Sequence, residues 1–356
     1  MSAAPDSLDA ESWNLTRFDA RTLDPRKGHL ESTFLKLNDP GSGRALWVKL
    51  TIFAPTSRAS GGDPREPGRT IGEAWAIAFD PKGHVAVKAV VPIEEATLSP
   101  RRPYRLGIAG VSYDGRRVVG EITHGTSKLR FDVELEPVDG APLVHFPSAF
   151  LYRAPLPKSK LVSPIVDARA RGFVEIVRSG VSDRWTVERW PAMQGHNWGT
   201  AHADLYAWGH CNAWNEPEGE GVVLEGFSAK VKLGGVVTSP LITLVALRHH
   251  GARFEIAHVR ELGRASGSIE ELRVWRFACE QAGARIEGTF ELRTEDTVGL
   301  YYPNPSGEMT YCLNSKIARA ELVFQALQRP AIKLTSNAAA LEIATHDADH
   351  GVKMYV

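Results

Sequence analysis

The chain has 356 residues, of which 43% are hydrophobic and 24% are charged, as in ordinary globular proteins with apolar cores. Lys plus Arg and Asp plus Glu both number 42, so the formal net charge is zero. This balance argues against a nucleic-acid-binding protein, because such proteins usually need a basic face. The length suits two domains, taking roughly 100–200 residues for each.

Nothing in the sequence predicts export or membrane insertion. No segment approaches the roughly 18 consecutive apolar residues of a membrane-spanning helix. The first 14 residues contain three acidic side chains and no apolar run, unlike a signal or transit peptide. Cys211, Cys279 and Cys312 are odd in number and are not spaced as in a zinc knuckle. We therefore expect no disulfide framework, a reducing compartment and a cytoplasmic location.

Short alternating runs separated by turns dominate the first half of the chain. Residues 46–53 combine β-branched and aromatic side chains, which is typical of a strand. Residues 73–79 and 84–91 form two further runs on either side of a turn that contains Pro and Gly. Asp114-Gly115 separates another two, and an Asp-Gly pair supplies the positive φ angles that a tight hairpin requires.

The second half of the chain shows the same pattern of short runs separated by turns. Residues 241–247 are apolar except for Thr243, which suits a strand buried on both faces. Residues 276–281 and 285–292 flank a hairpin turn, whereas helix signals are weak throughout. Many short strands with frequent turns predict a mostly β protein, built as a barrel or a sandwich rather than as an α/β fold.

Residues 190–214 have an unusual composition, with four tryptophans, three histidines and three glycines in 25 positions. The segment resembles the Asn-Trp-Gly motif of the superfamily that contains tocopherol cyclase and carotenoid 1,2-hydratase (hydroxyneurosporene synthase). In that family a Lys or His precedes Asn-Trp-Gly or Asp-Trp-Gly, and a Trp-rich strand ending in Cys-Asn follows. The matching positions here are His196, Asn197, Trp198, Gly199, Trp208, Cys211 and Asn212.

The resemblance extends from about residue 170 to the end of the chain, and before that it rests mainly on residues 46–55. Members of the family consist of two lipocalin-like (calycin) antiparallel β-barrels, which agrees with the strand pattern. Proline-rich connectors precede residue 185, so the expected domains are residues 1–185 and 186–356. Three further stretches resemble strands of the same family: 172–175, 311–324 and 333–342.

Two residues of the motif are candidates for chemistry, and each has a structural alternative. Trp198 could stabilise a carbocation with its π face, or its indole could plug the end of a barrel. His196 could act as a general acid because imidazoles titrate near neutral pH, or it could be a buried ring bonded to backbone. His196, His202 and His210 share strand parity, but glycines interrupt the run and no fourth ligand is evident. We therefore expect no metal.

Glu175 and Glu225 lie inside apolar runs. A carboxyl group that faces an apolar cavity has a raised pKa and becomes a proton donor at neutral pH, whereas one that faces outward is an ordinary solvated carboxylate. The hydratase branch carries an aromatic-x-Asp where this chain has residues 223–225, and the cyclase branch carries an acid where it has Gly195. The chain therefore matches the superfamily more closely than either branch.

The resemblance implies an enzyme without metal or redox cofactor that binds an apolar prenyl, polyene or polyketide-like molecule. It would carry out proton-initiated hydration, cyclisation or isomerisation in a barrel pocket that excludes water. The alternatives are a lipid or polyene carrier without chemistry, and a pericyclic cyclase that acts by shape. No phosphate-binding or dinucleotide-binding loop is present. The catalytic candidates are His196, Trp198, Glu225 and Glu175, and the expected substrate contacts are Asn197, Trp208, Asn212, Tyr311 and Asn314.

Overall fold

The computed structural model describes residues 8–356, except residues 60, 62–67, 139, 147, 231, 234–236, 256–258 and 282. Strands make up most of this part of the chain, so the prediction of a mostly β protein is confirmed. The strands form two large antiparallel sheets and one two-stranded sheet. The described helical segments are α1 (Ala10–Asn14), α2 (Ala149–Arg153) and 3₁₀ turns at Ile93–Glu95, Pro217–Gly219, Val259–Arg264 and Thr294–Asp296.

The first sheet contains eleven strands, in the order β4-β3-β2-β1-β11-β10-β8-β7-β6-β5 with β9 paired to β10. These strands are β1 (His29–Asp39), β2 (Arg44–Ala54), β3 (Ile71–Phe79), β4 (Val85–Pro92), β5 (Leu106–Ile108), β6 (Val111–Tyr113), β7 (Arg117–His124), β8 (Ser127–Pro137), β9 (Leu143–Val144), β10 (Ser159–Arg178) and β11 (Val181–Gly199). His124 Nδ1 on β7 donates a hydrogen bond to the Lys88 carbonyl on β4 at 3.3 Å. The sheet therefore curls and brings strands from its two halves together.

The second sheet contains ten strands, in the order β17-β16-β13-β12-β23-β22-β20-β19-β18 with β21 paired to β22. Both sheets thus have the same arrangement. Four strands at one side are followed by a long hairpin, β11-β10 in the first sheet and β23-β22 in the second, and then by a second group of consecutive antiparallel strands. The strands are β12 (Leu205–Cys211), β13 (Val222–Lys230), β16 (Ile242–His249), β17 (Ala252–Phe254), β18 (Ala265–Glu270), β19 (Val274–Gln281), β20 (Ala284–Glu291), β21 (Val298–Pro303), β22 (Met309–Ala326) and β23 (Ile332–Thr345), while β14 (Lys232–Leu233) and β15 (Val237–Thr238) pair with each other.

The chain changes sheet later than the sequence indicated. Strand β11 pairs with β1, with Gly199 opposite Leu30, and so completes the first sheet. The second sheet begins with β12, which places the change at residues 200–204. The expected boundary at 185/186 falls inside β11. The reason is that alternation shows where a strand runs but does not reveal which sheet supplies its partner.

Strands near the centre of the molecule bury both faces. Leu46 and Val48 of β2 belong to the core of the first sheet, whereas Trp47 between them packs towards the second sheet. Phe34 of β1 meets Trp208 of β12 edge-on, with 5.5 Å between ring centroids. A second apolar layer therefore lies between the two large sheets, and it surrounds the candidate functional site.

We expect Gly172→Ala to lower the free energy of unfolding by about 2 kcal/mol or more. Gly172 has a φ of +138°, and a Cβ atom there would lie 1.9 Å from the Asp132 carbonyl oxygen on β8. Gly140→Ala is the control, because no atom lies within 4 Å of its added Cβ. Urea denaturation measures both variants, and equal stability of the two would contradict the prediction.

Candidate functional site

A cavity of about 1100 Å³ lies between the two large sheets. Phe34 and Trp47 line it from the first sheet, and Trp208, Phe227 and Leu244 line it from the second. Small-molecule pockets usually span about 300–1,000 Å³ and are mostly apolar. The cavity therefore fits a ligand with a large carbon skeleton.

The connection between β9 and β10 forms part of the cavity wall through Leu151 and Leu156. Tyr152 fixes this connection in place. Its hydroxyl accepts a hydrogen bond from the Phe146 backbone N–H at 3.2 Å and donates one to the Leu161 carbonyl at 3.0 Å. This part of the wall is therefore tied to the start of β10.

Glu342 on β23 places a carboxylate in the cavity wall. Its Oε1 accepts hydrogen bonds from Lys316 Nζ at 2.7 Å and from Asn314 Nδ2 at 3.2 Å. Lys316 is fully buried and also donates to Asn314 Oδ1 at 2.7 Å. The Cys312 thiol faces Oε2 at 3.6 Å. One oxygen of Glu342 is thus held by strong, charge-assisted bonds, and the other meets a weak donor.

Lys49 on β2 adds a cation to the same wall. Its Nζ lies 3.6 Å from the centroid of the Tyr302 ring, within cation–π distance. Burial lowers the pKa of Lys49 to about 8, and burial raises the pKa of Tyr302 well above its ordinary range. His202 stacks on Tyr302 with 5.4 Å between centroids. Burial, together with the charge of Lys49, lowers the pKa of His202 to about 3, so its ring is neutral at pH 7.

Three of the expected substrate contacts lie at this site. Asn197 and Trp208 line the cavity, and Asn314 lies next to it, hydrogen-bonded to Glu342. Asn197 is the motif residue on β11 that faces the second sheet. The motif therefore contributes to the cavity through its asparagine.

Asn212 and Tyr311 lie elsewhere. Asn212 is buried between the sheets, where its Oδ1 accepts from Lys36 Nζ at 3.0 Å and its Nδ2 donates to Asp167 Oδ1 at 2.7 Å. Tyr311 packs against the ring of Tyr301, with 6.0 Å between centroids. Neither is among the described residues that line the cavity.

His196 and Trp198 lie on the face of β11 that points away from the cavity. His196 Nδ1 donates to the Trp13 carbonyl at 2.6 Å, and Nε2 donates to Glu31 Oε1 at 2.9 Å. Trp198 packs on the Trp13 ring at 6.3 Å. The pair therefore fastens α1 to the first sheet, and His196 matches the alternative of a buried ring bonded to backbone.

Glu31 also binds the N-terminal segment. Its carboxylate accepts the backbone N–H groups of Arg17 and Phe18, each at 2.8 Å, and it meets His29 Nε2 at 3.0 Å. Burial would raise the pKa of Glu31, but the hydrogen bonds from His196 and His29 lower it to about 2. The carboxylate is therefore ionised at neutral pH.

Glu225 is fully buried behind the cavity wall. Its Oε1 accepts from Ser163 Oγ at 2.8 Å and from Trp208 Nε1 at 3.0 Å, and His145 Nε2 lies 3.3 Å away. Burial would raise the pKa of Glu225, but the charge of His145 lowers it to about 2. This is opposite to the raised pKa that the sequence suggested. Glu225 orients Trp208 rather than facing the cavity as a neutral acid.

Glu175 is on the solvent side of β10, and the expectation that it faces an apolar cavity does not hold. It forms ion pairs with Arg184 and with Arg130, the latter at 3.4 Å. Its neighbours Val174 and Ile176 are buried in the core of the first sheet. Side chains alternate along a strand, so Glu175 must point outward when its neighbours point inward.

The three histidines that share parity in the sequence do not meet. His196 is on β11, His202 lies between strands, and His210 on β12 donates Nε2–H to the Val166 carbonyl at 2.8 Å. In the described part of the chain, no group of three or more His, Cys, Asp or Glu side chains is arranged to hold a metal ion. Among the same residues, no helix has the length and apolar character needed to cross a membrane.

The model of the tocopherol cyclase-like family matches residues 96–345, more than two thirds of the sequence. The chain belongs to the tocopherol cyclase-like family. The resemblance inferred from the motif is therefore confirmed. No curated protein sequence matches the chain.

Solved structures that share the fold of this tocopherol cyclase-like protein include an AttH-like protein from Nitrosomonas europaea. It has a TM-score of 0.52 at 13% identity, and the match covers 94% of this chain and 98% of that one. CghA has a TM-score of 0.56 at 9% identity, with 90% and 88% of the two chains covered. A structure of CghA with Sch210972 matches equally well. At these identities the likeness establishes the fold.

Gly199 of the family motif and Gly195, just before the motif, are both explained by packing around the cavity. A Cβ atom on Gly195 would lie 2.2 Å from the Phe34 ring, and one on Gly199 would lie 1.9 Å from the Lys158 carbonyl oxygen. Phe34 and Lys158 both line the cavity. Glycine at these positions therefore lets the cavity wall approach β11 closely.

Sequence reasoning missed two charged residues of the wall, Lys49 and Glu342, and the buried Lys316 that pairs with Glu342. A signal was present, because Thr51 is the only other polar residue within 46–53, and Glu342 follows the apolar run Ala338 to Leu341. Charged residues inside apolar strands are rarely buried unless they are paired. The sequence does not say which partner each one meets.

We expect the free energy of unfolding to fall at acid pH, because Glu31 becomes protonated there. Folding lowers the pKa of this carboxyl from 4.5 to about 2, so its stabilising effect is present above the unfolded value and is lost as the pH falls through the folded value. Glu31→Gln should lower the free energy of unfolding by about 3 kcal/mol at neutral pH and should flatten its dependence on pH in the acid range. Urea unfolding over a pH series measures both effects. Glu188→Gln, at an exposed position, is the control, and a wild-type pH profile for Glu31→Gln would refute the prediction.

Proposed function

We propose that this protein is a cyclase-type enzyme that acts, without a redox cofactor, on an apolar small molecule held between two lipocalin-like (calycin) barrels. The observation that carries the proposal is the cavity of about 1100 Å³, with an aromatic wall and a fixed carboxylate, Glu342. Membership of the tocopherol cyclase-like family supports cyclisation rather than hydration or isomerisation.

The wall supplies the first requirement of ring closure, which is a folded substrate. A flexible chain loses conformational entropy before its ends react, and a shaped cavity removes that cost in advance. Trp47 and Trp208 present large rigid rings from facing sheets, and Glu225 holds the indole of Trp208 by its Nε1–H. Rigid walls keep the reacting carbons close and exclude water from them.

Electrostatics supplies the second requirement. Ring closure that develops positive charge on carbon is favoured by aromatic faces and carboxylates, which stabilise such charge in a site that excludes water. Trp208 offers a π face in the wall, and Glu342 offers a negative charge whose orientation is set by Lys316.

We expect Glu342→Gln to lower turnover about 100-fold or more, with the dissociation constant changed less than about threefold. The amide keeps the shape of the side chain but loses its charge. Linear prenyl and polyene substrates are incubated with purified protein and analysed by chromatography and mass spectrometry, since a cyclised isomer keeps the substrate mass whereas hydration adds water. Glu308→Gln, at an exposed position of the cavity wall, is the control.

Circular dichroism confirms the fold of each variant, because Lys316 loses its charged partner in Glu342→Gln. Full turnover by the folded variant would refute the role of Glu342 and favour a pericyclic reaction controlled by shape. Tight binding by the wild type without any turnover would favour the carrier alternative.

We expect Trp208→Phe to reduce turnover less than Trp208→Leu does, by about tenfold between the two, because a phenyl ring keeps a π face and leucine does not. The comparison uses turnover of the same substrate at saturation. Trp198→Phe is the matched control, since Trp198 lies on the other face of β11 and packs on Trp13. A larger loss of turnover for Trp198→Phe than for Trp208→Leu would contradict the assignment of the reaction to the cavity that Trp208 lines.

A further inference from the structure

We propose that the ligand of this cavity carries an anionic oxygen group, such as a carboxylate or an enolate, and that Lys49 binds this group while the apolar walls hold the rest of the molecule. The inference rests on the proposed function only in taking the cavity as the ligand site.

The first argument is that Lys49 is a buried cation without an anionic partner. The residue is 6% exposed and lines the cavity. Among the described residues, its ammonium group forms neither a hydrogen bond nor an ion pair, and its contacts are the faces of Tyr302 at 3.6 Å, Trp47 at 5.9 Å and Trp75 at 6.0 Å. Buried charges are normally paired. Aromatic faces stabilise the ammonium group but leave its N–H donors free for a ligand.

The second argument is that the neighbouring carboxylates already have partners. Glu342 is paired with Lys316 at 2.7 Å, and Glu73 on β3 is paired with Lys88 on β4 at 2.8 Å. Three lysines and two carboxylates therefore share this region, and Lys49 carries the excess positive charge. An anionic group on the ligand would balance it.

The third argument concerns the other polar groups around Lys49. His202 is neutral at pH 7, and its ring stacks on the same Tyr302 that contacts Lys49. Burial also raises the pKa of the Cys312 thiol well above its ordinary range, so this neighbour adds no negative charge. His202 offers one N–H donor beside the ammonium group. The arrangement therefore suits an oxyanion better than a cation or a hydroxyl group.

Matched probes test the inference on the full chain: dodecanoate, which has an apolar tail and a carboxylate, and dodecanol, which has the same tail and a neutral head. Quenching of tryptophan fluorescence reports binding, because Trp47 and Trp208 line the cavity. At about pH 7, we expect wild-type protein to bind dodecanoate about tenfold or more tightly than dodecanol. Lys49→Met should reduce this preference to about twofold or less, and Lys49→Arg should retain it. Lys82→Met, at an exposed position outside the cavity, should leave it within about twofold.

The pH dependence of wild-type binding gives a test that needs no variant. Burial lowers the pKa of Lys49 to about 8, whereas Glu342, Cys312 and Glu73 oppose the shift and Lys88 adds to it. The ammonium form is therefore lost as the pH rises above about 8, and affinity for dodecanoate should fall there while affinity for dodecanol stays constant. This test stands even if Lys49→Met fails to fold.

Equal affinity of wild-type protein for the two probes, or an unchanged preference in folded Lys49→Met, would overturn the inference. The outcome is independent of the proposed reaction. A clear preference for dodecanoate without turnover of any substrate would refute the cyclase proposal and leave this inference standing. Turnover of neutral substrates with no preference for dodecanoate would refute this inference and leave the cyclase proposal standing.

Discussion

The ion pair between Lys316 and Glu342 is the interaction on which the interior of this protein depends. Lys316 is fully buried, and a lone ammonium group there would cost several kcal/mol. Glu342 Oε1 and Asn314 Oδ1 both accept its hydrogen bonds at 2.7 Å. The backbone carbonyl of Lys316 in turn accepts from Asn38 on β1, so the same residue links the two large sheets. The pair thus supports the packing of the sheets and sets the orientation of the carboxylate in the cavity.

Doubly buried strands place polar side chains in the interior between the sheets. Strands such as β2 place one face in the core of their own sheet and the other against the second sheet. In this second layer, Lys316, Asn314 and Glu342 satisfy one another by hydrogen bonds, as buried polar groups require. The cation on Lys49 and the carboxylate on Glu342 add charged groups to a cavity surface that is otherwise mostly apolar.

The conspicuous family motif contributes mainly to this scaffold. Glycines at positions 195 and 199 allow close approach of Phe34 and of the Lys158 backbone. His196 and Trp198 secure the N-terminal helix on one face of β11, and Asn197 between them faces the cavity from the opposite side of the strand. Adjacent residues of one strand therefore serve opposite sides of the sheet, as the period of two requires.

The sequence by itself determined the mostly β fold, the family and the segment that contains β11 and β12, because alternation and composition are local properties. Asn197, Trp208 and Asn314 could be placed near the site from the motif and the matching strands. Only the tertiary structure decided three other features: that β11 belongs to the first sheet, that Glu175 points outward, and what Glu225 contacts. Alternation tells which residues share a face but not what that face meets. The pairing of Lys316 with Glu342 across 26 positions, and the isolation of Lys49 beside Tyr302, arise from strand neighbours that no local pattern specifies.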